Sequence, residues 1–132
     1  MTTATAVPDL VARTRAFSLA TIRFYARQPK DTASQILGRQ MLRSATSVAA
    51  NYRAACRAKS RADFVSKMGT VEEVADESGF WLELIGEANL IPLDKLSGVR
   101  QEANELTAIA VASIRTARAP MRTPQSAVRS PQ

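Results

Sequence analysis

The stretch SRADFVSKMGTVEEVADESGFWLELIG, residues 60–86, decides the fold. In it Phe64, Met68, Val71, Ala75, Ser78, Leu82 and Ile85 recur at spacings of four and three without a break. That rhythm lines up one face of an α-helix against a partner. Ser60 supplies an N-cap side chain, and Gly86 marks the expected end.

Working outward, the same rhythm appears three more times. Before it, Leu37, Met41, Ala45, Val48, Tyr52 and Ala55 form a seam that Asp31, Thr32 or Ser34 can cap. Earlier still, after Pro8 and a capping Asp9, Leu10, Thr14, Phe17, Thr21 and Phe24 make a partly polar seam that stops at Gln28-Pro29-Lys30-Asp31. Beyond the turn at Asn89 to Pro92, Asp94 is the expected cap of a last helix with the seam Leu96, Val99, Ala103, Leu106, Ala110 and Ser113.

Four amphipathic helices with short connections predict an all-α fold, an antiparallel up-down-up-down four-helix bundle with left-handed crossings of about +20°. The expected division is a flexible N-terminus over 1–8 and a bundle over 9–118, followed by a disordered basic tail over 119–132. The helices are expected at about 9–27, 33–58, 61–86 and 94–117. The tail APMRTPQSAVRSPQ has no apolar period.

Charge is segregated along the chain. Residues 1–67 hold twelve Lys/Arg against three Asp/Glu, residues 68–114 hold two against nine, and residues 115–132 hold four against none. On a helical wheel Arg39, Arg43, Arg53 and Arg57 share an arc of roughly 80°, a stripe roughly 27 Å long opposite Met41, Val48 and Tyr52. Thr46 and Ala50 keep its centre flat, and Lys59, Arg61 and Lys67 extend the positive field past the next turn. Such a stripe suits phosphates contacted without base readout, and few aromatics interleave it for stacking.

The following helix is its opposite. Glu72, Glu73, Asp76, Glu77 and Glu83 face outward, yet Phe80 and Leu84 stand among them. A solvated acidic face does not account for two large apolar residues, so a covering partner is expected; Trp81, at the edge of the seam, reads first as a core-edge aromatic and second as an interface anchor. On the first helix Leu19 and Ile22 also project off the seam. These residues predict an oligomer interface, drawn as a heterologous contact in which the basic second helix of one copy meets the acidic third helix of the next and the contacts close into a ring.

Little in the sequence points to catalysis. With no His, the usual nucleophile–base pairs and zinc sets are absent, and the five Gly are isolated rather than grouped in a phosphate loop. Glu73, Asp76 and Glu77 point outward, unlike carboxylate metal centres inside bundles. No catalytic, cofactor or metal residues are expected. The lone Cys56 reads as a small hydrophobe near the seam. A reducing, cytoplasmic setting is expected, with no membrane span.

The run QILGRQMLRSATSVAANYRAACRAKSRADFVSKMGTVEEVADESGFWLELI, residues 35–85, resembles the four-helix-bundle family that includes proteins encoded within intervening sequences of bacterial 23S rRNA genes. Carrying the likeness are Gln40, Arg43, Ala45, Ser47, Val48 and Asn51, then the step Lys59-Ser60-Arg61-Ala62-Asp63-Phe64. Glu73, Asp76-Glu77-Ser78 and Phe80-Trp81-Leu82-Glu83-Leu84 look like a subgroup signature on the third helix. Many relatives follow the Asn with a small residue, Glu and Gly; here Tyr52-Arg53-Ala54-Ala55 follows, so no role of that Glu is carried over.

The resemblance, over roughly residues 9–117, implies a homopentameric ring with a basic surface suggested to bind nucleic acid, and extends to pentameric accessory proteins of diversity-generating retroelements that work with RNA. The expected partners are therefore further copies of the chain and nucleic acid, RNA ahead of DNA. The alternative is a structural or adaptor protein whose charged faces serve self-assembly and the binding of another protein.

Overall fold

The computed structural model describes residues 9–120. Over that span it contains four helices: α1 (Leu10–Ala26), α2 (Thr32–Cys56), α3 (Arg61–Glu87) and α4 (Leu93–Arg118). The flexible start expected over 1–8, and the expected tail from residue 121 onward, lie outside the described residues.

Three helices start on side chains that satisfy otherwise unpaired N–H groups. Asp9 accepts from Ala12 N at 3.2 Å, Asp31 from Ser34 N at 3.1 Å, and Ser60 Oγ from Asp63 N at 3.0 Å. Asp63 answers by accepting from Lys59 N at 3.0 Å, a reciprocal clasp akin to a capping box. The fourth start differs from expectation. Asp94 lies inside the first turn of α4 and no side chain caps that helix. Pro92 takes the N-cap position with an extended backbone, φ −59° and ψ 141°, and it has no side-chain acceptor to offer the first turn.

Gly86 also differs from its expected role. The chain stays helical to Glu87, and Asn89 takes the left-handed conformation at φ 59°. Leu90 N then donates to Ile85 O at 3.1 Å and Asn89 N to Gly86 O at 3.0 Å, the paired bonds of a Schellman ending. Gly86 is buried for another reason: a Cβ there would come within 2.9 Å of Leu93 and 3.0 Å of Leu96.

Each helix contacts the next in sequence, α1 and α4 touch only slightly, and α1/α3 and α2/α4 are diagonal. The register runs in opposite directions between neighbours. Ser18 Oγ donates to Ala45 O at 3.0 Å while Tyr25 Oη donates to Gln35 Oε1 at 2.9 Å, so numbers rise along α1 as they fall along α2. Across the next seam the Ser44 and Ser78 hydroxyls lie 3.2 Å apart.

The core combines large side chains at Met41, Met68, Leu82, Ile85 and Leu96 with small ones at Ala45, Ala75, Ala103 and Ala110. Thr14, Ser18 and Thr21, the polar seam of α1, are buried. Their hydroxyls reach backbone carbonyls: Thr14 donates to Leu10 O at 2.6 Å and Thr21 to Ser18 O at 2.7 Å. A buried hydroxyl so bonded avoids the desolvation cost of an orphan. Among the described residues, no helix is long and apolar enough to cross a membrane.

Two glycine substitutions separate close packing from helix propensity. A Cβ at Gly38 would overlap Gln28 Oε1 and sit 2.7 Å from the Tyr25 ring, so Gly38→Ala is expected to destabilise by about 1–3 kcal/mol. Gly98 has nothing within 4 Å, and Gly98→Ala is expected to stabilise by about 0.5–1 kcal/mol. Urea midpoints followed by circular dichroism read both signs.

Candidate nucleic-acid interface and assembly faces

Arg39, Arg43 and Arg53 are exposed on α2, and Arg57 is exposed at its C-cap, where the helix ends two residues before the expected 58. None of them forms an ion pair among the described residues. Thr46 turns its hydroxyl back onto Leu42 O at 2.9 Å, and Ala50 is exposed, so the middle of this face is low. Lys59 and Arg61 are exposed at the α2–α3 turn.

Lys67 is different. Its ammonium donates to Asp63 Oδ1 at 2.7 Å. The Lys67 bond, followed by the Lys59 N–H, holds the Asp63 carboxyl below its ordinary value. Lys67 thus braces the start of α3 and is less available to a phosphate than the four arginines.

Two arginines of α1 extend the picture in ways the helical wheel missed. Arg13 bridges to α4, with Nε 2.7 Å and Nη2 2.8 Å from the Glu102 carboxylate, and it also reaches Glu105. These bonds push the Arg13 guanidinium upward, while Gln101 first and Arg13 second hold Glu105 down. Arg13 is therefore a strut across the slightest helix contact.

Arg15 is exposed and joins Arg53 and Arg57 around a cleft of about 370 Å³ between α1 and α2. Only the inter-helix register brings α1 and α2 together here, and a single-helix projection holds no such signal. Tyr52 borders the same cleft, its hydroxyl pushed up to about 12 by burial and by its hydrogen bond with Cys56. Cys56 is exposed beside it rather than packed as a small hydrophobe; Ala55, one position earlier, takes the core place.

On α3, Glu73, Asp76 and Glu77 are exposed, and Phe80 among them is 51% exposed. Leu84 is half-buried. Trp81 packs against the core, donates from Nε1 to Glu77 Oε2 at 3.0 Å, and meets Phe80 edge-on with ring centroids 4.9 Å apart. On α1, Leu19 and Ile22 are each 44% exposed. The Ser18–Ala45 and Ser44–Ser78 contacts set these two apolar patches at one height on diagonal helices.

The fold and its faces define, over the described residues, an all-helical bundle protein with a basic face on α2 that has no ion-pair partner there and an acidic, partly apolar face on α3. The chain belongs to the 23S rRNA-intervening sequence protein family, whose model matches residues 9–112. It is similar to a crystal structure of a protein of the S23 ribosomal protein family from Bacteroides thetaiotaomicron VPI-5482, described as having unknown function. That likeness has 27% identity and a TM-score of 0.74, over 80% of this chain and 97% of that one. No curated protein matches significantly.

Stability should depend on acid through the depressed carboxyls. Asp31, Asp63 and Glu105 all lie below their ordinary values, held by Ser34 N–H, Lys67 and Gln101 respectively. A carboxyl depressed on folding stabilises the native state above its unfolded pKa, and that contribution is lost as pH falls through the folded value. The melting temperature should therefore drop between about pH 5 and pH 2. Asp63→Asn should lower it at pH 7 and shrink the drop; an unchanged pH profile would remove Asp63 from this account.

Proposed function

We propose that the chain is a non-enzymatic, ring-forming bundle that binds nucleic acid, RNA ahead of DNA, through the basic side of α2. The observation that carries this reading is the set Arg39, Arg43, Arg53 and Arg57, exposed on one face with no carboxylate partner among the described residues. Guanidiniums without internal partners are available to phosphates. Lys59 and Arg61 continue the field, and Lys67 contributes at its edge. The preference for RNA rests on the family's link to 23S rRNA genes.

Assembly in this reading uses α1 and α3. The Leu19 and Ile22 patch of one copy meets Phe80, Leu84 and the Trp81 edge of the next, with Glu73, Asp76 and Glu77 at the rim. Patches at matched height on diagonal helices favour head-to-tail contacts that close by rotation. They also leave α2 outside the contact, in place of the α2-to-α3 joint that charge alone suggests. Five copies is the number that the family resemblance implies. Repetition would then turn weak single-subunit contacts into useful avidity.

A structural or adaptor role is the second reading, favoured by Phe80 standing exposed among carboxylates. The two readings part in a mobility-shift series against structured RNA and duplex DNA at rising salt. With Arg39, Arg43, Arg53 and Arg57 all changed to Gln, RNA affinity should fall at least tenfold and the log–log salt slope should flatten by about 3 per engaged subunit. Equal binding by the oligomeric variant would exclude the stripe as the site, and loss of the oligomer would assign the stripe to assembly.

Phe80→Glu tests the interface separately. It is expected to leave the helical content intact and give a monomeric mass by light scattering at micromolar concentration. An unchanged oligomer would remove this face from the contact.

A further inference from the structure

The arginines of α2 do not have a common setting. Arg53 and Arg57, unlike Arg39 and Arg43, line the cleft between α1 and α2, where Arg15 joins them from the other wall. Three exposed arginines thus line one cleft, and none forms an ion pair among the described residues. Two carboxylates stand six residues from this set in sequence: Asp9, which caps α1 and whose charge also reaches Tyr52, and Asp63, which is held by Lys67. Three like charges around one small cleft repel one another, a cost that a multivalent anion relieves.

The remaining walls narrow the choice of anion. Arginine side chains offer only donors, and Tyr52, with its hydroxyl pushed up to about 12, stays protonated at neutral pH and can donate as well. Val11 and Ala50 give an apolar surface between the charged groups. A volume of about 370 Å³ is at the small end of ligand sites, enough for one nucleotide and too small for a duplex. A terminal phosphate carries nearly two charges where an internal phosphodiester carries one, and so matches a triple-arginine cleft better.

We propose that this cleft binds the terminal phosphate of single-stranded nucleic acid, the three guanidiniums holding the phosphate and Val11 and Ala50 supporting the last base. The inference rests on the nucleic-acid reading above and adds to it a preferred end and a further residue, Arg15. On α1 the cleft wall of Val11 and Arg15 lies on the N-terminal side of Leu19 and Ile22, with Arg15 one turn before Leu19 on the same helix face. Lys59 and Arg61 at the adjacent α2–α3 turn offer the next phosphates a continuing path.

The test compares a short single-stranded oligoribonucleotide carrying phosphates at both ends with the same oligonucleotide ending in hydroxyls, by fluorescence anisotropy with the full chain. The phosphorylated form is expected to bind about tenfold more tightly. Arg15→Gln and, independently, Ala50→Glu should each bring that ratio to about one. Arg39→Gln with Arg43→Gln should weaken both oligonucleotides and leave the ratio in place. Should Arg15→Gln lose helical content, Ala50→Glu on the exposed rim decides.

Equal affinity for the two oligonucleotides in the unaltered protein would overturn the cleft and leave the α2 stripe standing. A ratio that survives both cleft substitutions would also overturn it. Failure of either oligonucleotide or structured RNA to bind at low salt would overturn the nucleic-acid reading itself.

Discussion

Everything in this bundle depends on how closely α3 lies to α2 and α4. The seam residues Ala45, Ser44, Ala75, Ser78, Gly79 and Ala103 are small, and at Gly86 even a methyl group would crowd Leu93 and Leu96. Small residues bring backbones close, so packing is gained from contact between helices as much as from large side chains. The same closeness lets a hydroxyl on one helix meet a neighbour, as Ser18 does at Ala45 and Ser78 at Ser44. It also limits the room inside. Large residues such as Phe80, Leu19 and Ile22 stand on the outside, where another surface can use them.

Much of this was legible in the sequence because a helical period is a local property. The unbroken stripe from Phe64 to Ile85 and the caps Asp31 and Ser60 need only neighbours within a turn or two. What escaped the sequence depends on geometry that no single helix contains. Pro92 rather than Asp94 occupies the N-cap of α4, and Asn89 rather than Gly86 turned the chain out of α3. Arg15 became part of a basic cleft only once α1 and α2 acquired a register.

The division of charge along the chain resolves into two populations. Some charged groups hold the bundle together: Arg13 with Glu102 and Glu105, Lys67 with Asp63, and Arg100 with Glu83 at 3.9 Å. The rest stand on outer faces, basic on α2 and acidic on α3. Exposed single pairs add little to stability, so the unpaired groups are better understood through what approaches the surface. Membership of the 23S rRNA-intervening sequence protein family gives that surface a setting. The chemistry of the surface comes from these residues.

The slight contact between α1 and α4, bridged by Arg13, has a consequence for motion. α1 is secured broadly by α2 on one flank and more slightly by α4 on the other, where Arg13 bridges to Glu102. Helices held on one side sit at the low end of the opening free-energy scale, and their amide hydrogens exchange with solvent before those of the central elements. Leu19 and Ile22, and the Arg15 wall of the cleft, all ride on this one helix. A neighbouring copy or an anion that grips α1 closes the same fluctuation, so either event would slow exchange along it and make the other easier.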